Sequence, residues 1–156
     1  MRRKDREISR DAALAICDKC SYAVLSMTDT EDKPYAVPLS IVRDGEYIYF
    51  HAAQSGRKTD CLRRQPHICL TCVGDTRLTP EDFSTDYESA IVRGLAGEIT
   101  DPDEKTHALR LICQRYAPSN MAEFDGTLSR YIAHTTVWMI TITDITGKRR
   151  HTPPNA

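Results

Sequence analysis

Nine residues in the middle of the chain, Phe50-His51-Ala52-Ala53-Gln54-Ser55-Gly56-Arg57-Lys58, combine types that could do chemistry. An extended run ends at His51, small residues follow, and a helix opens with two cations in its first turn. That turn carries unpaired backbone N–H groups and the positive end of the helix dipole. Cations there are unfavourable by some tenths of a kcal/mol, and a bound phosphate would offset them. Arg57 offers a planar fork to phosphate oxygens, and Lys58 offers a compact charge. Ala52, Ala53 and Gly56 leave room for a ligand. A solvated basic helix end would use the same residues, so the segment alone leaves both readings open. His51 is equally two-sided. An imidazole with a pKa near neutrality can donate a proton to a reduced acceptor, or it can pack and bond a backbone carbonyl.

The other reactive residues point to less. Cys17-Asp18-Lys19-Cys20 and Cys69-Leu70-Thr71-Cys72 are two CxxC pairs, the spacing of zinc ligands. The second lies in HICLTCV, which reads as a strand, where residues three apart point to opposite faces. No metal site is therefore expected, and reduced, partly buried thiols are. A redox role for the first pair is also not expected. It ends a helix, whereas a low-pKa thiol is favoured at a helix start. His67, His107 and His134 have no partners at ligand spacing. Trp138 lies in an alternating run and reads as core or interface.

The elements that must position these residues follow from patterning. Ser9 can cap a helix over residues 10–19. Residues 22–27, 34–42 and 46–51 read as three strands joined by short turns, an antiparallel meander. Pro38 inside the second suits an edge or an opening. The stretch SGRKTDCLRRQP is a short helix begun at Ser55-Gly56 and ended by Pro66. Residues 67–74 form a strand and 75–85 a polar loop. Residues 86–100 form a long strand, with Gly94 and Gly97 inviting a bulge or bend. Asp101 caps a helix through Tyr116, residues 117–129 read as loop, and 135–145 alternate as the last strand. Six strands with three inserted helices and no βαβ alternation predict a mainly β fold, a small six-stranded antiparallel barrel.

Length and charge bound the rest. A chain of 156 residues is expected to be one domain over 1–156, with residues 1–8 and 150–156 flexible. Lys plus Arg number 21 against 22 Asp plus Glu, a net charge of −1. That excludes a bulk electrostatic hold on nucleic acid or anionic lipid but not a local anion site. No apolar run approaches the roughly 18 residues of a membrane span, and the start MRRKDREISRD has no signal-peptide pattern. A cytoplasmic location is expected.

FHAAQSGRKTDCLRRQP, with PYAVPLS before it and YESAIVRGLAGEI after it, resembles the pyridoxamine 5′-phosphate oxidase-like, FMN-binding split-barrel superfamily. Within it, the nitroimidazole-resistance (Nim-type) branch is the nearest, and the similarity runs from about residue 10 to 150. The resemblance implies a homodimer with FMN at the subunit interface. It places the FMN phosphate at Arg57 and Lys58, and the flavin ring beside the strand carrying Val37, Pro38 and Leu39. His51 and Ala52 would lie beside the ring and ribityl chain, with His51 as the catalytic candidate. Ser89 would reach the flavin from the partner subunit. The implied activity is an oxidoreductase that takes electrons from a nicotinamide donor, NAD(P)H, and passes them through FMN to a small acceptor such as a nitroheteroaromatic. Two alternatives stay open: a non-catalytic flavin-binding or storage module, and a haem-binding protein using His51 or His151. Arg149-Arg150-His151 is similar to the Arg-x-His of true pyridoxamine phosphate oxidases but lacks its aromatic context, so vitamin B6 oxidation is not expected.

Overall fold

The computed structural model describes residues 2–151. In chain order its elements are β1 (Glu7–Ile8), α1 (Arg10–Lys19), β2 (Ala23–Thr28), β3 (Pro34–Leu39), β4 (Val42–Asp44) and β5 (Tyr47–Ala53). Then come α2 (Arg57–Arg64), β6 (His67–Thr79), β7 (Ser84–Glu98), α3 (Pro102–Tyr116), α4 (Phe124–Tyr131) and β8 (Thr135–Arg150). Ser9 and Asp101 cap as their types require, accepting the N–H of Ala12 at 3.2 Å and of Glu104 at 2.8 Å.

All strand pairs are antiparallel, in the order β3-β2-β6-β7-β8-β5-β4, with β1 added to β8. β3 and β4 are the two ends of that order, yet only Ser40 and Ile41 separate them in the chain. Two linking residues reach about 10 Å, so the sheet must curl until its edges face each other. Those edges do not pair, which leaves the barrel split along β3. Pro38 lies on that edge strand, where a missing N–H need not cost a ladder bond.

The six expected strands are present, but the sheet has eight. The run 34–42, read as one strand, breaks at Ser40-Ile41 because a side chain replaces the strand partner there. The Tyr116 hydroxyl accepts the Ile41 N–H at 3.1 Å and donates to the Ile41 carbonyl at 2.8 Å. The other addition is β1, in a stretch expected to be flexible: Glu7 pairs with Lys148 and Ile8 with Gly147. At the other end β8 runs on through Arg150, and residues 152–156 lie outside the described residues.

Two expected loops are ordered elements. Residues 75–85 mostly extend the β6–β7 ribbon beyond a register shift between Val73 and Thr76. Arg77 bonds Asp86 across that ribbon at 2.7 Å. Residues 118–131 are helical, a 3-10 turn followed by α4. The bulge expected near Gly94 is found: the register shifts between Arg93 and Gly94, and a Cβ there would lie 2.5 Å from the Thr141 carbonyl oxygen.

Leu25, Ile48, Phe50, Leu70, Val92, Trp138 and Ile140 fill the barrel, with Ile16 and Cys17 of α1 sealing one end. Trp138 stacks on Phe50 at 6.5 Å between centroids. A second apolar cluster packs Ala108 and Ile112 of α3 against Tyr49 and Val137 on the outside of the sheet. Among the described residues, no helix is long and apolar enough to cross a membrane.

Candidate functional site

The split gives the nine-residue segment its setting. β4 accompanies β5 only as far as Tyr49, so the end of β5, from Phe50 to Ala53, has β8 on one side and no strand on the other. β3 across the gap is paired only to β2. Thr136 supports the free end of β5, its hydroxyl 3.0 and 2.9 Å from the carbonyls of Ala52 and Ala53. The chain then turns into α2 at Gly56, whose φ of 139° is a conformation that side chains other than glycine's rarely tolerate. No side chain caps this helix start, so its first N–H groups keep their capacity to bind.

The two cations of that turn reach opposite lips. Arg57 lies over the Tyr35 ring of β3, 4.4 Å from its centroid, and bonds Asp29 Oδ2 at 2.5 Å. Asp29 is itself fixed by the turn it begins, with Oδ1 accepting the N–H groups of Glu31 and Lys33, each at 2.9 Å. The Arg57 hydrogen bond, helped by those two amides, holds the Asp29 carboxyl down at about 2. Lys58 takes the β5 side, its ammonium 5.5 Å from the Phe50 ring centroid. It is half-buried, and no carboxylate among the described residues pairs with it. Burial accordingly lowers its pKa, the signature of a cation short of an anion.

His51 stands exposed on β5, opposite Val137 of β8, while Ala52 beside it is buried. Desolvation, and then the Lys58 charge, lower the imidazole pKa below its ordinary value, so His51 is neutral at neutral pH. Val37 and Leu39 are half-buried against the core, and Pro38 between them is exposed on the open strand.

These residues gather around the split, with one exception. Ser89 pairs with Lys148 near the far end of β8, whereas His51 meets that strand near its start. It lines an outer-face depression with Tyr87, Arg93 and Asp144. Ser89 is therefore not brought to the other candidates within one chain.

Asp29 and Tyr35 escaped the sequence reading. Asp29 at the head of a polar turn carries a local signal, a side chain that bonds the N–H groups just after it. Its pairing with Arg57 is long-range and leaves no trace in spacing. The two CxxC pairs also resolve differently from a four-ligand site. Cys69 is half-exposed, on the opposite face from Cys72 as strand geometry demands, and Cys72 shares the buried core with Cys17 and Cys20. No group of three or more His, Cys, Asp or Glu residues among the described ones is arranged to hold a metal ion.

The family profile described as pyridoxamine 5′-phosphate oxidase matches residues 9–149. This chain belongs to that family. Its split barrel is the fold of several solved structures. One is a candidate 5-nitroimidazole antibiotic resistance protein from Bacteroides thetaiotaomicron. It is 25% identical with a TM-score of 0.75, over 92% of this chain and 86% of that one. An FAD and haem binding protein from Mycobacterium smegmatis is 20% identical with a TM-score of 0.80, over 97% of this chain and 76% of that one. An FAD-binding protein from Mesorhizobium loti is 16% identical with a TM-score of 0.64, over 94% and 98%. At those identities the last two show a shared fold. Among curated proteins none matches the chain.

Proposed function

We propose that this family member is an FMN-dependent oxidoreductase, a homodimer that passes electrons from a nicotinamide donor to a small acceptor such as a nitroheteroaromatic. The observation that carries the reading is Lys58, a half-buried ammonium without a carboxylate partner among the described residues, beside an uncapped helix start. A phosphate supplies the missing anion for both features. The flavin itself is supported by the names of the M. smegmatis and M. loti neighbours, and the acceptor class by that of the B. thetaiotaomicron one.

A bound flavin supplies reversible two-electron transfer; the protein supplies position and charge. Lys58 and the free N–H groups of α2 hold the phosphate. Arg57, tethered to Asp29, keeps part of its fork for the same oxygens. Val37, Pro38 and Leu39 border the ring along the unpaired strand, and Ala52 leaves space for the ribityl chain. Ser89 reaches this site only from a second chain, which is why the reading requires a dimer. His51 handles the proton. An anion that neutralises Lys58 removes one of the two influences lowering the imidazole pKa, returning His51 towards the range where it can donate.

The test of catalysis is His51→Ala. The variant is expected to keep its flavin and lose about a hundredfold or more in nitroreductase turnover, within the span attributed to acid–base groups. Unchanged turnover would remove the catalytic role of this histidine, and background turnover in the wild type would leave a flavin-binding module. Haem is the second reading, favoured by the M. smegmatis neighbour that binds FAD and haem and by the exposure of His51. A Soret shift on haem addition would favour it, and none would remove it.

A further inference from the structure

Beside His51, on the outer face of the sheet, two helices enclose a space that the proposed phosphate site does not use. Side chains alternate along β5, so Ile48 and Phe50 enter the barrel while Tyr49, His51 and Ala53 face outward. On β8, Val137 packs with Tyr49 in the outer cluster, and Thr135 shares its face. His51 is paired with Val137, and Ala53 with Thr135. Thr135 is therefore a diagonal neighbour of His51, roughly 7–8 Å away, within reach of a ring lying between them.

Thr135 is also the sheet's contribution to a cavity of about 220 Å³ between α3 and α4. Leu109 and Cys113 of α3, Phe124 and Leu128 of α4, and Ile132 just after it line most of the remainder. The two helices are fastened to each other on either side of this space. Arg110 of α3 bonds Asp125 at 2.9 Å and lies 4.2 Å from the Phe124 ring centroid, at the start of α4. Beyond the other end of α4, Lys105 donates to the Ile132 carbonyl at 2.8 Å. The gap between these fastenings is thus held open. Close-packed interiors leave few voids larger than a water molecule, so an apolar space of this size calls for an occupant.

Size and charge narrow what that occupant is. An apolar cavity of about 150 Å³ takes one benzene, so this one admits a single substituted ring. A flavin or nicotinamide nucleotide needs a pocket of several hundred Å³ and is excluded. None of the lining residues is a cation, and Glu123 puts a carboxylate at the rim, so an anion is disfavoured. The Asn120 amide and the Thr127 hydroxyl, exposed at the same rim, offer hydrogen bonds to a polar substituent. We propose that the cleft between α3 and α4 is the binding site of the electron acceptor, a compact neutral nitroaromatic ring, with Leu128 and Tyr131 setting the size it accepts. The ligand class rests on the reductase reading above; the site rests on the cavity. No residue of α2 lines it, so the acceptor and the phosphate at Lys58 do not compete.

Backbone amide NMR spectra of the isotope-labelled full chain, titrated with nitrobenzene, test the site without depending on flavin. Saturable shifts are expected in α3, in α4 and at Thr135. Benzoate, a ring of the same size and shape carrying a negative charge, should not bind. Leu128→Trp fills the cavity and should weaken nitrobenzene at least about tenfold, while FMN retention stays as in wild type. The proposal is overturned by the absence of saturable shifts or by shifts centred elsewhere. Benzoate binding as tightly as nitrobenzene, or undiminished affinity in Leu128→Trp, would overturn it too. The wild-type shift map decides even if the tryptophan variant does not fold. Nitrobenzene bound in this cleft by a protein that retains no FMN would leave the site standing and remove the flavin reading alone.

Discussion

Arg57 and Asp29, 28 residues apart in sequence, meet at 2.5 Å and tie the first turn of α2 to the β2–β3 hairpin. One lip of the split is thereby fastened to the helix that supplies the cations. Arg64, at the other end of the same helix, bonds the Asp29 carbonyl and, at 2.7 Å, the Asp32 carboxylate, so α2 is clasped to that turn at both ends.

Acid should release this clasp in a defined window. The folded Asp29 carboxyl titrates at about 2, below the roughly 3.9 of an unfolded aspartate. Its contribution is therefore complete above the unfolded value and fades as pH falls through the folded one. Asp29→Asn is expected to lower the thermal midpoint at neutral pH. The gap to wild type should then close between about pH 4 and pH 2. A gap that persists unchanged at the acid end would show that the carboxylate charge is not what binds Arg57.

Tyr116→Phe removes one oxygen that serves both backbone groups of Ile41, a residue with no exposed surface. Leaving those groups unpaired should cost about 1–3 kcal/mol in urea unfolding. The same variant should loosen the crossing from β3 to β4 and with it the spacing of the split. Loss below about 0.5 kcal/mol would mean that water replaces the hydroxyl at no cost.

Gly94 and Gly97 offer a paired comparison. A Cβ at Gly94 would meet the Thr141 carbonyl and the Ile140 side chain at 2.5 and 2.6 Å, whereas one at Gly97 meets nothing within 4 Å. Gly94→Ala is expected to destabilise by about 1–3 kcal/mol. Gly97→Ala should stay within about 0.5 kcal/mol of wild type. Equal effects would contradict the register shift placed at Gly94.

Local signals made much of this fold legible. Ser9 and Asp101 announced their helices, Ser55-Gly56 and Pro66 bracketed α2, and alternation marked six strands. The site was legible where it is local, in the chain from His51 to Lys58. What escaped depends on contacts between distant residues. The break at Ile41 comes from Tyr116, and the clasp on Arg57 comes from Asp29. The burial of Cys72 in one core with Cys17 and Cys20 needs the sheet already formed. Residues 118–131 carry a helical spacing in Met121, Phe124, Leu128 and Tyr131, but the run is short and interrupted by Gly126, so it read as loop.

The central claim is a phosphate held by Lys58 at the start of α2. The most direct measurement is the visible spectrum of purified protein after loading with FMN and desalting, with riboflavin as the phosphate-free control and Lys58→Ala alongside. Wild type should retain flavin bands near one FMN per chain, lose riboflavin on the column, and lose FMN in the variant. Equal retention of riboflavin and FMN, or undiminished FMN in Lys58→Ala, would contradict the phosphate site.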